Sequence, residues 1–157
     1  MTPAINVAKK SGITYRIHKY SHDQGHASYG LEAAEKLNLN PAQVFKTLVS
    51  KLDTDELVVA IVPVTNMLNL KMLAKACSSK KCIMADRTEV EKTTGYILGG
   101  VSPLGQKKRL RTVIDASAKD FQTIYVSGGR RGLEIELAPG DLADLTGGSF
   151  SQIAQAQ

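Results

Sequence analysis

The chain has 157 residues with 20 Lys+Arg against 15 Asp+Glu, a net charge of +5 and a pI near 9.2. That length predicts one domain, residues 1–157, whose core needs neither metal nor disulfide. The basic balance favours a polyanionic partner, and the lack of a hydrophobic span excludes the membrane-spanning classes and argues against membrane partners.

Thr2 ahead of Pro3 caps a short helix over residues 3–10 that Gly12 closes. No apolar run of signal-peptide length accompanies it, so a cytoplasmic location is expected. Residues 13–20 alternate with period two and read as a strand; residues 21–28 read as a loop, and residues 31–37 return to helical spacing. Asn40-Pro41 caps a further turn. Residues 44–52 and 57–64 are β-rich and separated by Asp53-Thr54-Asp55-Glu56, which predicts an antiparallel hairpin with Lys46 inside its first strand.

Asn69 caps a helix through Ala76, residues 82–84 form a short strand, and Asp86-Arg87-Thr88-Glu89 has capping-box spacing for a helix that Gly95 ends. Three more strands follow at residues 111–115, 123–127 and 133–137, the last two joined by Gly128-Gly129-Arg130-Arg131-Gly132. Pro139 then opens a final helix. Hairpins and helices interleave without a regular βαβ beat, which predicts an α+β fold: a mixed, largely antiparallel sheet or distorted barrel flanked by short helices.

The chemistry-bearing residues are few. His18, His22 and His26 fall four apart, which on a helix would stack three imidazoles, but the strand at His18 and the break at Gly25 make them diverge, so no metal site is expected. Cys77 and Cys82 lack a nearby His and cannot complete a zinc site; with residues 83–85 read as a buried strand, both thiols read as reduced and structural. No Gly-x-Ser-x-Gly elbow, Walker motif or dinucleotide fingerprint is present, so ATP and NAD are disfavoured and no cofactor is implied.

The richest stretch runs from Gly95 to Arg109: a glycine-hinged loop that opens apolar, turns at Pro103 and ends in cations suited to an anion. Together with Phe45-Lys46-Thr47-Leu48, Met84-Ala85-Asp86, Thr94-Gly95-Tyr96 and Ile124-Tyr125-Val126-Ser127-Gly128-Gly129, it resembles the YbaK family of Cys-tRNA(Pro) deacylases over nearly the whole chain. Those proteins are similar to the editing domain inserted in bacterial prolyl-tRNA synthetases.

The resemblance implies a trans-editing enzyme that removes cysteine from mischarged tRNA(Pro). A pocket that admits proline cannot strongly reject an amino acid of similar size, because small apolar differences are worth only about 1 to 3 kcal/mol. It implies Lys46 as the essential lysine and Tyr20 as a pocket residue. Gly99, Gly100, Val101, Ser102 and Pro103 match the Gly-x-x-x-Pro loop that holds the terminal adenosine and the aminoacyl ester. Glu134 stands where some relatives have an aspartate and is a pocket candidate; it or Glu136 also fits an exposed position of an alternating strand.

The missing protein nucleophile is then explained by the substrate's own thiol, which attacks the ester carbonyl and leaves as a thiolactone while Lys46 and backbone N–H groups near Gly100 and Val101 orient the ester. Lys107, Lys108, Arg109, Arg111, Arg130 and Arg131 are expected on acceptor-stem phosphates, and prolyl-tRNA synthetase is the expected partner in a tRNA-dependent complex. Two alternatives remain: a deacylase for another mischarged tRNA such as Ala-tRNA(Pro) that uses activated water, or a non-catalytic tRNA-binding module.

Overall fold

The computed structural model describes residues 1–24 and 28–157. Local signals in the sequence build its helices. In α1 (Pro3–Ser11) the Thr2 hydroxyl accepts from the Ile5 N–H at 3.3 Å and Gly12 closes the helix at φ +75°. The same hydroxyl donates to the Gly128 carbonyl, fastening the N-terminus to a turn 126 residues away. Strand β1 (Tyr15–Lys19) is shorter than the alternation predicts, and α2 (Tyr29–Lys36) follows. Asn40 caps a single 3-10 turn at Pro41–Gln43.

The hairpin forms as predicted: β2 (Phe45–Leu52) pairs antiparallel with β3 (Leu57–Pro63), Lys46 opposite Val62. Next come β4 (Asn66–Leu68), α3 (Leu70–Ala76) capped by Asn69, β5 (Cys82–Met84) and α4 (Arg87–Thr94) capped by Asp86. The second half adds β6 (Arg111–Asp115), a 3-10 turn at Ala116–Asp120, β7 (Ile124–Ser127), β8 (Leu133–Leu137), α5 (Pro139–Thr146), β9 (Ser149–Ser151) and β10 (Ala154–Ala156).

Among the described residues the strands form three sheets, ordered β1-β8-β7, β10-β4 and β5-β2-β3-β6-β9. Only β3 with β6 and β6 with β9 run parallel; the other strand pairs are antiparallel. The fold is therefore mixed α+β and mostly antiparallel. The barrel alternative gives way to separate sheets, because the two larger ones meet through a single parallel bridge between Val44 and Tyr125.

That meeting sets the core. Phe45, Val49, Val59 and Ile61 from the larger sheet face Ile124, Val126, Leu133, Ile135 and Leu137 from the smaller one. Fully burying such side chains is worth about 1.5 to 3 kcal/mol each. On the opposite face of the larger sheet, Val58, Ala60 and Val62 pack under Leu73 and Ala74 of α3. Across the junction of the sheets, Ala34 of α2 closes over Val44, Val64 and Tyr125. The outer face of the smaller sheet, beside that cap, is left to polar residues.

One expectation is corrected. Cys82 is buried, but Ile83 and Met84 are 54% and 46% exposed, because β5 is an edge strand paired with β2 alone. Burial raises both Cys82 and Cys77, so neither thiol is activated. No described helix is long and apolar enough to cross a membrane.

Candidate active site

Strand alternation decides which residues share the polar face. Leu133, Ile135 and Leu137 point into the core, so Glu134 and Glu136 turn outward. Directly opposed residues in a sheet lie on the same side, which puts His18 and Ser127 beside Glu134, and Arg16 and Tyr125 beside Glu136. The bridge between Val44 and Tyr125 sets β2 parallel to β7. Two residues further along their strands stand Lys46 and Ser127, on the same sides as Val44 and Tyr125. His18, Glu134 and Ser127 thus cross one outer surface in register, and Lys46 follows Val44 on the neighbouring strand.

The electrostatics of that surface are unusual. Glu134 is 7% exposed, and no hydrogen bond or ion pair engages its carboxyl among the described residues. Burial pushes its pKa up to about 8, so the acid is predominantly neutral at pH 7. Lys46 is half-buried, and burial holds it below the usual lysine range; its ammonium likewise has no partner among the described residues. Tyr20, just past β1, is raised by burial and then by the nearby Glu134 carboxylate, while its N–H donates to the Gly132 carbonyl at 3.0 Å.

The glycine loop is held by close backbone contacts of its own. Gly99 has φ +96°, and a Cβ there would lie 3.0 Å from the Tyr29 ring; one on Gly100 would lie 2.6 Å from the Arg130 Cα. These two positions therefore need glycine, and the loop's backbone is brought against α2 on one side and the 128–132 turn on the other. A buried ion pair ties the two supports together: Arg131 bonds Glu32 Oε1 at 3.1 Å, with Glu32 fully buried. Glu32 Oε2 accepts the Asp23 N–H at 2.7 Å, and Arg131 also donates to the Asp23 carbonyl and lies 4.4 Å over the Tyr29 ring.

Gly99 and Gly100 make these contacts, but Val101, Ser102 and Pro103 are buried. Val101 belongs to the central core; the Ser102 hydroxyl accepts the Leu104 N–H at 3.2 Å, and Pro103 sits near Val7 and Leu145. The cations separate as well. Arg131 is engaged by Glu32, Arg111 pairs with Glu56 at 3.7 Å, and Arg109 lies against Gly147 behind α5. Lys107, Lys108 and Arg130 are exposed and have no ion pair among the described residues. His18 bonds Glu136 at 2.9 Å, His22 lies near Gly132, and His26 lies outside the described residues.

Residues 26–145 match the family model of the aminoacyl-tRNA editing domain. The chain belongs to that family. It is 38% identical, over 97% of its own length and 92% of the other's, to a protein of Enterococcus faecalis provisionally named Cys-tRNA(Pro)/Cys-tRNA(Cys) deacylase EbsC. A proline--tRNA ligase of Brachyspira hyodysenteriae is 27% identical over 59% of this chain, a match that covers 16% of the ligase. A crystal structure described provisionally as a trans-editing enzyme for prolyl-tRNA synthetase superposes with a TM-score of 0.84 at 20% identity, covering 99% of both chains. This editing domain leaves Lys46 and Glu134 without a partner among the described residues and holds the Gly99–Gly100 backbone against Tyr29 and the 128–132 turn.

Tyr29, Glu32 and Ser127 of the editing domain were not singled out from the sequence. Ser127 stands in a Ser-Gly-Gly stretch that marks a turn, and Glu32 reads as an ordinary helix-surface carboxylate. Only the pairing of β7 with β8 and the reach of Arg131 back to α2 reveal their places.

Proposed function

We propose that this chain is a trans-editing deacylase that removes cysteine from Cys-tRNA(Pro), with residues 1–157 acting as one editing domain. The observation that carries the reading is the pair of groups without a partner among the described residues, Lys46 and Glu134, on adjoining strands of an editing-domain fold. Burying ionisable groups without partners destabilises a fold, and such sites are where ligands bind. The resemblance to the Enterococcus faecalis protein supports cysteine as the amino acid.

The aminoacyl ester lies over this surface with its ribose against the Gly99–Gly100 backbone. The cysteine sulfur attacks its own carbonyl carbon, the C–S bond forms, and the bond from carbonyl carbon to ribose oxygen breaks. The thiol proton ends on the departing ribose hydroxyl, and water later opens the released thiolactone. A thiol is a few per cent thiolate near pH 7 and strongly nucleophilic, so orientation supplies much of what the step needs. Lys46 stabilises the developing oxyanion, an effect typically worth about 10²- to 10³-fold in rate. Glu134 gives up its proton when the substrate's α-ammonium arrives and holds that cation beside Tyr20.

The enzyme acts in the cytoplasm in a tRNA-dependent complex with prolyl-tRNA synthetase, which supplies the tRNA specificity that a phosphate-reading surface lacks. The test is deacylation of Cys-, Ser- and Ala-tRNA(Pro) by the wild type and by Lys46→Ala. Cysteine is expected to leave fastest, with the variant losing that activity. Serine released as fast as cysteine would overturn the thiol mechanism, and a fully active Lys46→Ala would overturn the site. No turnover of any substrate would leave a tRNA-binding module.

A further inference from the structure

Gly100 and Arg131, the latter close enough to Tyr20 to act on its charge, line an open hollow of about 480 Å³ with Tyr96, Ile97, Leu98, Gly129 and Arg130. Its rim presents two apolar side chains outward: Ile97 is 71% exposed and Leu98 48%. They sit on a built tip. The Gly100 N–H donates to the Ile97 carbonyl at 2.9 Å, the Leu98 N–H donates to Glu91 at 2.8 Å, and the buried Tyr96 hydroxyl donates to the Leu104 carbonyl at 2.6 Å.

Cations continue outward from this tip. Arg130 lines the hollow, and Gly95 on its rim adjoins Lys107, where a glycine Cβ would lie 3.4 Å from the lysine Cβ. The Lys107 and Lys108 N–H groups donate to the Thr94 and Thr93 carbonyls at 2.8 and 3.1 Å, which lays both residues along the end of α4 beside Lys92. All four cations are exposed and without an ion pair among the described residues. The carboxylates nearby are engaged: Glu89 pairs with Lys51, and Glu91 with Arg87 and the Leu98 N–H. A fixed apolar pair followed by a line of free cations complements a chain that alternates base faces with phosphates.

We propose that this hollow is the exit channel for unpaired RNA: the nucleotide next to the aminoacylated one lays its base on Ile97 and Leu98, with its phosphate on Arg130. Lys107, Lys108 and Lys92 then meet phosphates of the paired stem. The inference rests on the deacylase reading of the adjoining site and adds to it a path and a set of contacts. It assigns Arg109, Arg111 and Arg131 no part in holding RNA.

The test uses an uncharged RNA hairpin with an unpaired 3′ overhang, the same hairpin made blunt, and cysteinyl esters of the overhang hairpin and of adenosine. Wild type is expected to prefer the overhang. The Ile97→Ala/Leu98→Ala variant should lose affinity for the overhang hairpin, through the apolar contact removed, and little for the blunt one. Its ratio of turnover on the charged hairpin to turnover on the adenosine ester should fall as well. Lys107→Ala/Lys108→Ala should weaken both hairpins and flatten the salt dependence by about two phosphates' worth. Because Ile97 and Leu98 are exposed, an unchanged thermal midpoint is expected and separates lost contacts from lost fold.

Equal affinity of wild type for the two hairpins, or an unaffected Ile97→Ala/Leu98→Ala variant, would overturn the channel. An overhang preference lost in that variant, alongside no turnover of any ester by wild type, would uphold the channel and overturn the deacylase reading alone.

Discussion

Two carboxylates two residues apart on β8 face the same side of the same sheet and end in opposite states. Glu136 accepts from His18 at 2.9 Å and from the Thr123 hydroxyl at 2.6 Å. Burial alone would raise its pKa, but those hydrogen bonds and the charge of Arg16 hold it below the usual carboxylate range. Glu134 has none of this and is pushed up to about 8. The sheet satisfies a carboxylate where it needs one for structure. At Glu134 and Lys46 it leaves the partner to come from outside.

The comparison can be broken at Lys46 first. If Lys46 stabilises the oxyanion as proposed, replacing it with alanine should reduce Cys-tRNA(Pro) deacylation by about 10²- to 10³-fold. The thermal midpoint should hold or rise, because a half-buried, unpartnered cation is removed. A Lys46→Ala protein that is both inactive and unfolded would show instead that the lysine is structural.

The next effect is on stability at Glu134. Its folded pKa is raised, so the unfolded chain ionises from about pH 4.5 upward while the folded one stays neutral to about pH 8. The stability that depends on this group is fully present below the lower value, falls across that window and is gone by its upper end. At roughly 1.4 kcal/mol per pKa unit, Glu134→Gln should be more stable than wild type by on the order of 5 kcal/mol at pH 8, with the gain gone near pH 4. Thermal melts across that range check it, and a variant less stable at pH 8 would contradict it.

Glu136→Gln should behave in the opposite sense. Its depressed pKa stabilises the fold above the ordinary carboxylate range, so at pH 7 the variant should lose about 1 to 2 kcal/mol, and the difference should shrink in acid. Deacylation should change only slightly, because the acid is turned to His18 and Thr123. An activity loss as large as that of Lys46→Ala would erase the contrast between the two ends of the face.

Much of the scaffold was legible in the sequence because its signals are local. Thr2, Asn69, Asp86, Gly12 and Gly95 act on residues within one turn, and the turn at residues 53–56 joins adjacent strands. The parallel partnership of β3 with β6 and the short strands β4, β9 and β10 were not legible. Three residues carry little pattern, and these strands exist only because distant backbone meets them; Asp115, for instance, accepts the Ile153 and Ala154 N–H groups across 38 and 39 residues. Lys46 and Glu134 were marked by family resemblance. Their nearness depends on β8, β7 and β2 lying side by side, which no local pattern announces. The sequence presents Gly99 to Pro103 as one unit, yet core packing claims its last three residues and leaves two against Tyr29 and Arg130.

The most direct measurement follows the two carboxyl carbons of β8 by NMR as pH is varied, with and without a non-hydrolysable cysteinyl-adenosine analogue. The account predicts that Glu134 titrates near 8 in the free protein and Glu136 below the ordinary range, and that the analogue drops the Glu134 value while leaving Glu136 in place. A Glu134 that titrates as an ordinary carboxylate, or an analogue that binds without moving it, would contradict the claim that this face is the site of deacylation.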